Sequence, residues 1–439
     1  MFGTSGIRGI YGKEVNEELA LKIANIFAEK DVVVARDTRN TGEALVNAVI
    51  AGILSAGKNA IFIGIAPTPT LALSTKKYRC NGIMITASHN PPEYNGLKLF
   101  SEGVEISRKK EKEIKEKYKK NKLNYANWDS LGQLRKDGRA LEEHKELIKN
   151  LVEKTAIKTK KPRVVVDANG AGTVITPPIL RELGCEVITI NDSLVGFSRG
   201  AEPNAENLKM LSEKVVEEGA DLGIGHDGDG DRTIIVDERG NVLNFDVQLA
   251  IIVEHELEKN TSAKKKVVST VEASLIVRET VENAGGELII TPVGSLYVSE
   301  ALEREDAIFG GEPCGEYIFK NGVHVPDGIL TAAKFVEVFC EKGMLGELSK
   351  KYKTYPVVRR KFLCENSKKA EVVRKIKKEI KLSGKLREED GIRIDDEEGW
   401  FLIRASGTEP AIRLTAEYKN VEMLNKRVEE LSAIIKKYI

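Results

Sequence analysis

The stretch NEELALKIANIFAEKDVVVARDTRNTGEALVNAVIAGILSAGKNAIFI, residues 16–63, decides the fold. Its apolar residues recur at helical spacing up to Lys30, close into the run Val32-Val33-Val34-Ala35, return to helical spacing as far as Ala56, and close again at Ile61-Phe62-Ile63. A helical stretch buries one stripe, whereas a short run of β-branched residues bounded by polar turns suits a strand covered on both faces. Strand, helix and strand in that order make a βαβ unit, which calls for a parallel or mixed sheet.

The same rhythm returns twice. Val164-Val165-Val166 leads through Asn169-Gly170-Ala171-Gly172 into a helical segment, then Val187-Ile188-Thr189-Ile190, a further helix and Leu222-Gly223-Ile224. A third round runs from Val267-Val268 to Leu288-Ile289-Ile290 and Ala307-Ile308-Phe309. After Pro356 the pattern changes to Val357-Val358, a charged helix from Lys368, two strand candidates near Trp400 and Arg413, and a terminal helix, which reads as an α+β domain. The expected organisation is α/β: three similar mixed-sheet α/β domains, residues 1–140, 155–240 and 241–355, followed by a C-terminal α+β domain, residues 356–439. The lysine-heavy stretch 108–122 between the first two reads as a solvated helix and linker.

At 439 residues the chain is long enough for several cores, and 68 Lys and Arg against 67 Asp and Glu leave a net charge of +1. So balanced a total carries no electrostatic signature of a nucleic-acid or anionic-membrane partner. A small-molecule ligand fits better, and a homodimer stays open. The five cysteines are scattered without a Cys-x-x-Cys pair, and no apolar run approaches 18 residues, so a reducing cytoplasm is expected. Two glutamines among many Lys and Glu is a balance that thermophile proteins share.

The chemistry concentrates in short loops. Asp227-Gly228-Asp229-Gly230-Asp231-Arg232 places three carboxylates at alternate positions, with glycines that permit tight turns, so they can converge on one hard cation such as Mg²⁺. Read as a calcium loop from Asp227, it puts Glu238 at position 12 but Arg232 where glycine is required. Asp229 to Thr233 also resembles the nucleophile motif of haloacid-dehalogenase-type phosphatases, with Asp395-Asp396 as the late acidic pair. Thr86-Ala87-Ser88-His89-Asn90-Pro91-Pro92 follows the apolar run Ile83-Met84-Ile85 and sets a serine just past a strand end. No Gly-x-Ser-x-Gly elbow surrounds Ser88, and His89 suits holding the turn as well as acting as a base. Two Gly-rich loops, Gly3 to Gly9 and Arg404 to Pro410 followed by Arg413, offer the amides, hydroxyls and guanidinium forks that a phosphate dianion needs. Neither is a Walker loop.

Taken in order, these residues resemble the α-D-phosphohexomutase family from end to end. The counterparts are Thr4 to Gly9, the serine loop Thr86 to Pro91, the metal loop Asp227 to Arg232, the sugar loop Glu312 to Gly315, and the phosphate loop Arg404 to Pro410. The resemblance implies a multidomain enzyme around a central cleft. In it Ser88 carries a phosphate, and Mg²⁺ is held by that phosphate with Asp227, Asp229 and Asp231. A hexose 1,6-bisphosphate serves as intermediate and activator. It implies Arg8 and Lys98 as groups for proton handling or charge support; side-chain chemistry favours Lys98 as base. It also implies sugar and phosphate contacts from Arg232, Glu312, Cys314, Glu316, Arg404, Ser406, Gly407, Thr408 and Arg413. Cys314 and Glu316 depart from the serine and histidine of many relatives. A carboxylate at Glu316 suits the ammonium of a 2-amino sugar, or else faces solvent. The Ser-Gly-Thr-Glu-Pro wording and the segment Val293 to Val298 resemble the phosphoglucosamine mutase branch. Interconversion of glucosamine 6-phosphate and glucosamine 1-phosphate is therefore expected, with mannose or glucose phosphates as the alternative within the family. A phosphatase or a non-catalytic sugar-phosphate-binding protein is the alternative outside it.

Overall fold

The computed structural model describes residues 6–260, 265–380, 384–406 and 409–439. They fall into two compact units, the chain up to Gln248 with Cys314–Lys350, and Leu249–Pro313 with Lys351–Ile439. The segment read as a third domain, residues 241–355, thus contributes to both.

In the first unit the quoted stretch forms helix Glu17–Phe27, strand Val32–Arg36, helix Gly42–Ser55 and strand Ala60–Ile65. Asn16 caps the first helix by accepting from the Leu19 amide at 2.9 Å, and Glu17 and Glu18 occupy its electropositive first turn. The two helices approach closely because residue 52 is glycine: a β-carbon there would sit 2.3 Å from the Leu21 carbonyl oxygen. Val32 and Val34 point into the core beneath these helices, while Val33 and Ala35 enter a second core with Leu71 and Ala72 of helix Thr68–Tyr78. The unbroken apolar run reflects a strand buried on both faces.

The first sheet runs in the order Ile7–Ile10, Tyr94–Ser101, Asn81–Ile85, Val32–Arg36, Ala60–Ile65, Leu134–Lys136. Tyr94–Ser101 is antiparallel to both neighbours, and the strands beyond it are parallel, so the sheet is mixed. The second sheet runs Thr233–Val236, Leu222–His226, Arg163–Asp167, Glu186–Ile190, with the first strand antiparallel and the rest parallel. The lysine-heavy stretch forms helix Arg108–Lys119. His144, fully buried, lies 2.8 Å from the Thr70 hydroxyl and 2.9 Å from the Asp327 carboxylate, joining helix Thr68–Tyr78, helix Ala140–Leu151 and the cap of helix Gly328–Lys342. No helix among the described residues is long and apolar enough to cross a membrane, and none of the five cysteines is joined in a disulfide.

In the second unit, strands Lys266–Thr270, Glu287–Thr291 and Phe309–Glu312 are parallel, with helices Leu275–Asn283 and Ser295–Arg304 between them. Its five-stranded antiparallel sheet runs Val357–Leu363, Ala411–Tyr418, Gly399–Ala405, Ile392–Asp395, Lys385–Arg387. The last two strands do not stand out in the sequence, because charged residues interrupt their apolar pattern.

Arg393 explains why one of those charges is inside. It donates to Asp395 at 2.8 and 3.0 Å and to the carbonyls of Val271 and Ala273 at 2.6 and 3.0 Å, and its guanidinium lies 4.0 Å from the Trp400 ring centroid. Replacing Arg393 by leucine strands two carbonyls in the core and is expected to cost about 3 kcal/mol. Chemical denaturation checks this through Trp400 fluorescence, since Trp400 is buried and the other tryptophan, Trp128, is 90% exposed.

Candidate active site

Two strand ends build the reactive centre. Strand Asn81–Ile85 runs into Thr86 and Ser88, and strand Leu222–His226 runs into Asp227, so both loops leave carboxyl ends of their sheets, where α/β folds gather ligands. Ser88 is buried in a left-handed conformation, φ +51°, and its hydroxyl donates to Asp227 Oδ2 at 2.8 Å. Gly228 permits this approach: a β-carbon there would meet the Ser88 carbonyl oxygen at 2.7 Å and the Phe197 ring at 2.8 Å.

Asp227, Asp229 and Asp231 are all buried, and each offers a carboxylate oxygen within 4.8 Å of the others. Lys98, brought in by strand Tyr94–Ser101, donates to Asp229 Oδ2 at 2.7 Å and Asp231 Oδ2 at 2.6 Å. Thr68, at the start of its helix, adds a hydroxyl contact to Asp229 and donates its amide to the Asp229 carbonyl at 2.9 Å. The second carboxylate oxygens of Asp229 and Asp231 have no partner among the described residues. Three buried carboxylates this close together, two of them with an oxygen left unpaired, offer donors of the kind a hard divalent cation takes up, so these residues fit Mg²⁺.

The electrostatics agree with a cation-seeking cluster. Burial first, then repulsion from Asp231 and Asp229, pushes Asp227 well above the usual carboxylate range, and burial with Asp229 pushes Asp231 up to about 6. Burial also opposes charge on Asp229, but the Lys98 ammonium and the Thr68 hydroxyl outweigh it and hold Asp229 below the ordinary value. Lys98 is desolvated too, yet the attraction of Asp229 and Asp231 prevails and raises it. His89 lies with Nδ1 3.2 Å from the Ser88 hydroxyl, and burial, followed by the charges of Arg232, Arg8 and Lys98, drives it down to about 2, so its imidazole is neutral. Arg8, on strand Ile7–Ile10, donates to Asn90 at 3.4 Å and keeps its Nε without a partner among the described residues.

The metal loop forms the tip of a strand hairpin, and Glu238 is occupied in accepting the Gly346 amide at 3.0 Å, which removes the calcium-loop reading. Asp395, the late acidic residue of the phosphatase reading, is engaged by Arg393 and Arg387 at 2.8 and 3.0 Å. Glu316 is half-buried rather than solvent-facing, and its Oε1 accepts from Arg232 Nε at 2.9 Å, a partner that the sequence does not suggest. Arg232 also reaches Glu202 at 3.2 Å. Cys314 precedes Glu316 and is half-buried.

In the second unit, Glu312 is buried and accepts from the Gly294 amide at 3.2 Å. Arg404 pairs with Glu272 at 2.8 Å and Asp390 at 3.2 Å, and Arg413 pairs with Glu409 at 3.0 Å. Ser406 accepts from the Glu409 amide at 3.2 Å, and Lys369 braces the loop by donating to the Glu409 carbonyl at 3.0 Å. Gly407 and Thr408, like Gly3, Thr4 and Ser5 of the N-terminal loop, lie outside the described residues. Asp37, Arg39, Thr68, Glu202 and Lys369 are the structural additions. Asp37 and Arg39 belong to the run Arg36-Asp37-Thr38-Arg39, which in the sequence reads as an ordinary solvated turn.

Comparison with known proteins is consistent along the chain. Residues 1–125, 142–240 and 244–355 match the phosphoglucomutase/phosphomannomutase alpha/beta/alpha domains I, II and III, and residues 361–434 match the C-terminal domain of that family. A relative from Methanococcoides burtonii, described as a probable phosphoglucosamine mutase, is 41% identical over 423 residues, 95% of each chain. A phosphoglucomutase/phosphomannomutase family protein of Burkholderia thailandensis has the same fold, with a TM-score of 0.85 at 24% identity over 99% of this chain and 97% of that one. An N-acetylphosphoglucosamine mutase of Aspergillus fumigatus, solved with GlcNAc-6P and magnesium, aligns with a TM-score of 0.58 at 16% identity over 100% of this chain and 95% of that one.

Proposed function

The chain belongs to the phosphoglucomutase/phosphomannomutase family, and on that premise we propose that it is a mutase interconverting glucosamine 6-phosphate and glucosamine 1-phosphate, with Ser88 as the phosphate carrier. The observation that carries the reading is the Ser88 hydroxyl, buried and 2.8 Å from Asp227 in a cluster of three acids. A reactive oxygen placed beside cation ligands is the arrangement phosphoryl transfer calls for.

Asp227, Asp229 and Asp231 would hold Mg²⁺, which when bound supplies charge neutralisation on the transferring group. The rest falls to the chain's own residues. Asp227 fixes the direction of the Ser88 hydroxyl, Lys98 and Arg8 add positive charge, and neutral His89 borders the reacting oxygen. Arg404, Ser406, Gly407, Thr408 and Arg413 are proposed to hold the phosphate that does not react, with Glu312 and Cys314 on the sugar hydroxyls. A 1,6-bisphosphate then forms when Ser88 gives up its phosphate, and the other phosphate returns to Ser88. Glu316 is assigned to orienting Arg232, from whose guanidinium its Oε1 accepts.

The amino-sugar assignment rests on the 41% identity to a probable phosphoglucosamine mutase. The test is an assay of glucosamine, mannose and glucose 6-phosphates side by side, each with a catalytic amount of the matching 1,6-bisphosphate. Highest kcat/KM with glucosamine 6-phosphate is expected. Preference for mannose or glucose phosphate would move the substrate and leave the serine chemistry in place.

A further inference from the structure

Ser88 occupies a backbone conformation that serine rarely adopts, and something must hold it there. We propose that Asp37 and Arg39 are positioning residues that lock Ser88 in its left-handed conformation and so aim its hydroxyl at Asp227; this rests on the reading of Ser88 as phosphate carrier.

Arg39 is fully buried and every guanidinium N–H is used. Nε donates to Asp37 at 3.0 Å, one terminal nitrogen to the carbonyls of Pro91 and Tyr94 at 2.7 and 2.8 Å, and the other to those of Ser88 and Asn90 at 2.8 and 2.7 Å. Asp37 in turn accepts the Thr86 hydroxyl at 2.7 Å, and the Thr86 oxygen accepts the Ser88 amide at 2.8 Å. The peptide groups on both sides of Ser88 are therefore tied to one carboxylate, on the carbonyl side through Arg39 and on the amide side through Thr86. With both peptide planes fixed, the two backbone dihedrals of Ser88 are fixed as well.

The same turn is also referenced to the metal loop. Thr38 exchanges hydrogen bonds with Gly196, accepting its amide at 2.7 Å and donating to its carbonyl at 3.1 Å. The next residue, Phe197, lies under Arg39 at 4.7 Å and against Gly228. A lysine at 39 keeps the charge but cannot span four carbonyls and a carboxylate, since one ammonium offers three donors without a planar fork.

The experiment follows phosphate transfer from glucose 1,6-bisphosphate to Ser88 by mass spectrometry, with steady-state kinetics beside it, in wild type, Arg39→Lys and Thr86→Val. Thr86→Val preserves shape and side-chain size while cutting the link between Asp37 and the Ser88 amide, so it serves even where Arg39→Lys fails to fold. Both folded variants are expected to lose kcat and the transfer rate by about 100-fold while KM stays within about threefold, because a displaced nucleophile misaligns the reacting atoms without removing substrate contacts. Wild-type transfer rates in Thr86→Val, or a loss that only follows the unfolded fraction, would overturn the proposal alone. A wild-type chain that takes no phosphate on Ser88 would overturn the mutase reading and the proposal with it.

Discussion

Ser88→Ala is expected to lower turnover by about a thousandfold or more, because it removes the atom proposed to carry the phosphate while leaving the fold intact. The hydroxyl makes one strong contact, to Asp227, and alanine fits the same space. Melting temperature should therefore change little, which separates a chemical loss from a structural one. Steady-state assay with glucosamine 6-phosphate reads the first quantity and thermal denaturation the second. Turnover in Ser88→Ala within about tenfold of wild type is too fast for a chain that has lost its nucleophile.

Asp229→Asn carries the second large effect, a fall in turnover of about 10³-fold with weakened Mg²⁺ binding. The carboxylate holds Lys98, receives the Thr68 hydroxyl and keeps its other oxygen buried without a partner among the described residues. Asparagine keeps the shape but removes a charge that would neutralise a divalent ion, and its amide nitrogen cannot ligate it. Isothermal titration with Mg²⁺ checks the binding and the assay checks the rate. Wild-type affinity together with wild-type turnover would take this residue out of the proposed metal set.

The elements that can be read from the sequence alone share one physical property. Val32 to Ala35, Ile83 to Ile85 and Leu222 to Ile224 are central strands buried on both faces, so their apolar character is continuous. Tyr94–Ser101 is as buried, but Asn95, Gly96 and Lys98 interrupt it, and each interruption is answered only in three dimensions. Asn95 donates to Thr41, Gly96 lies where a β-carbon would meet the Ile7 carbonyl at 2.1 Å, and Lys98 meets two carboxylates. The candidate site divides the same way. Ser88 and the three acids are visible because their loops are short and chemically dense. Arg39 and Asp37 are not, because a charged turn in the sequence reads as solvated, and its burial is a consequence of which carbonyls the fold brings around it. Glu316 shows the same limit from the other side, since its partner, Arg232, is 84 residues away.

The most direct measurement is where the phosphate goes. Wild-type and Ser88→Ala chains exposed to hexose 1,6-bisphosphate and Mg²⁺ are weighed intact and then mapped by peptide. A single acid-stable phosphate is expected, confined to the Ser88 peptide of the wild type and absent from the variant. Turnover without phosphate at Ser88, or phosphate found on Asp229, would contradict it.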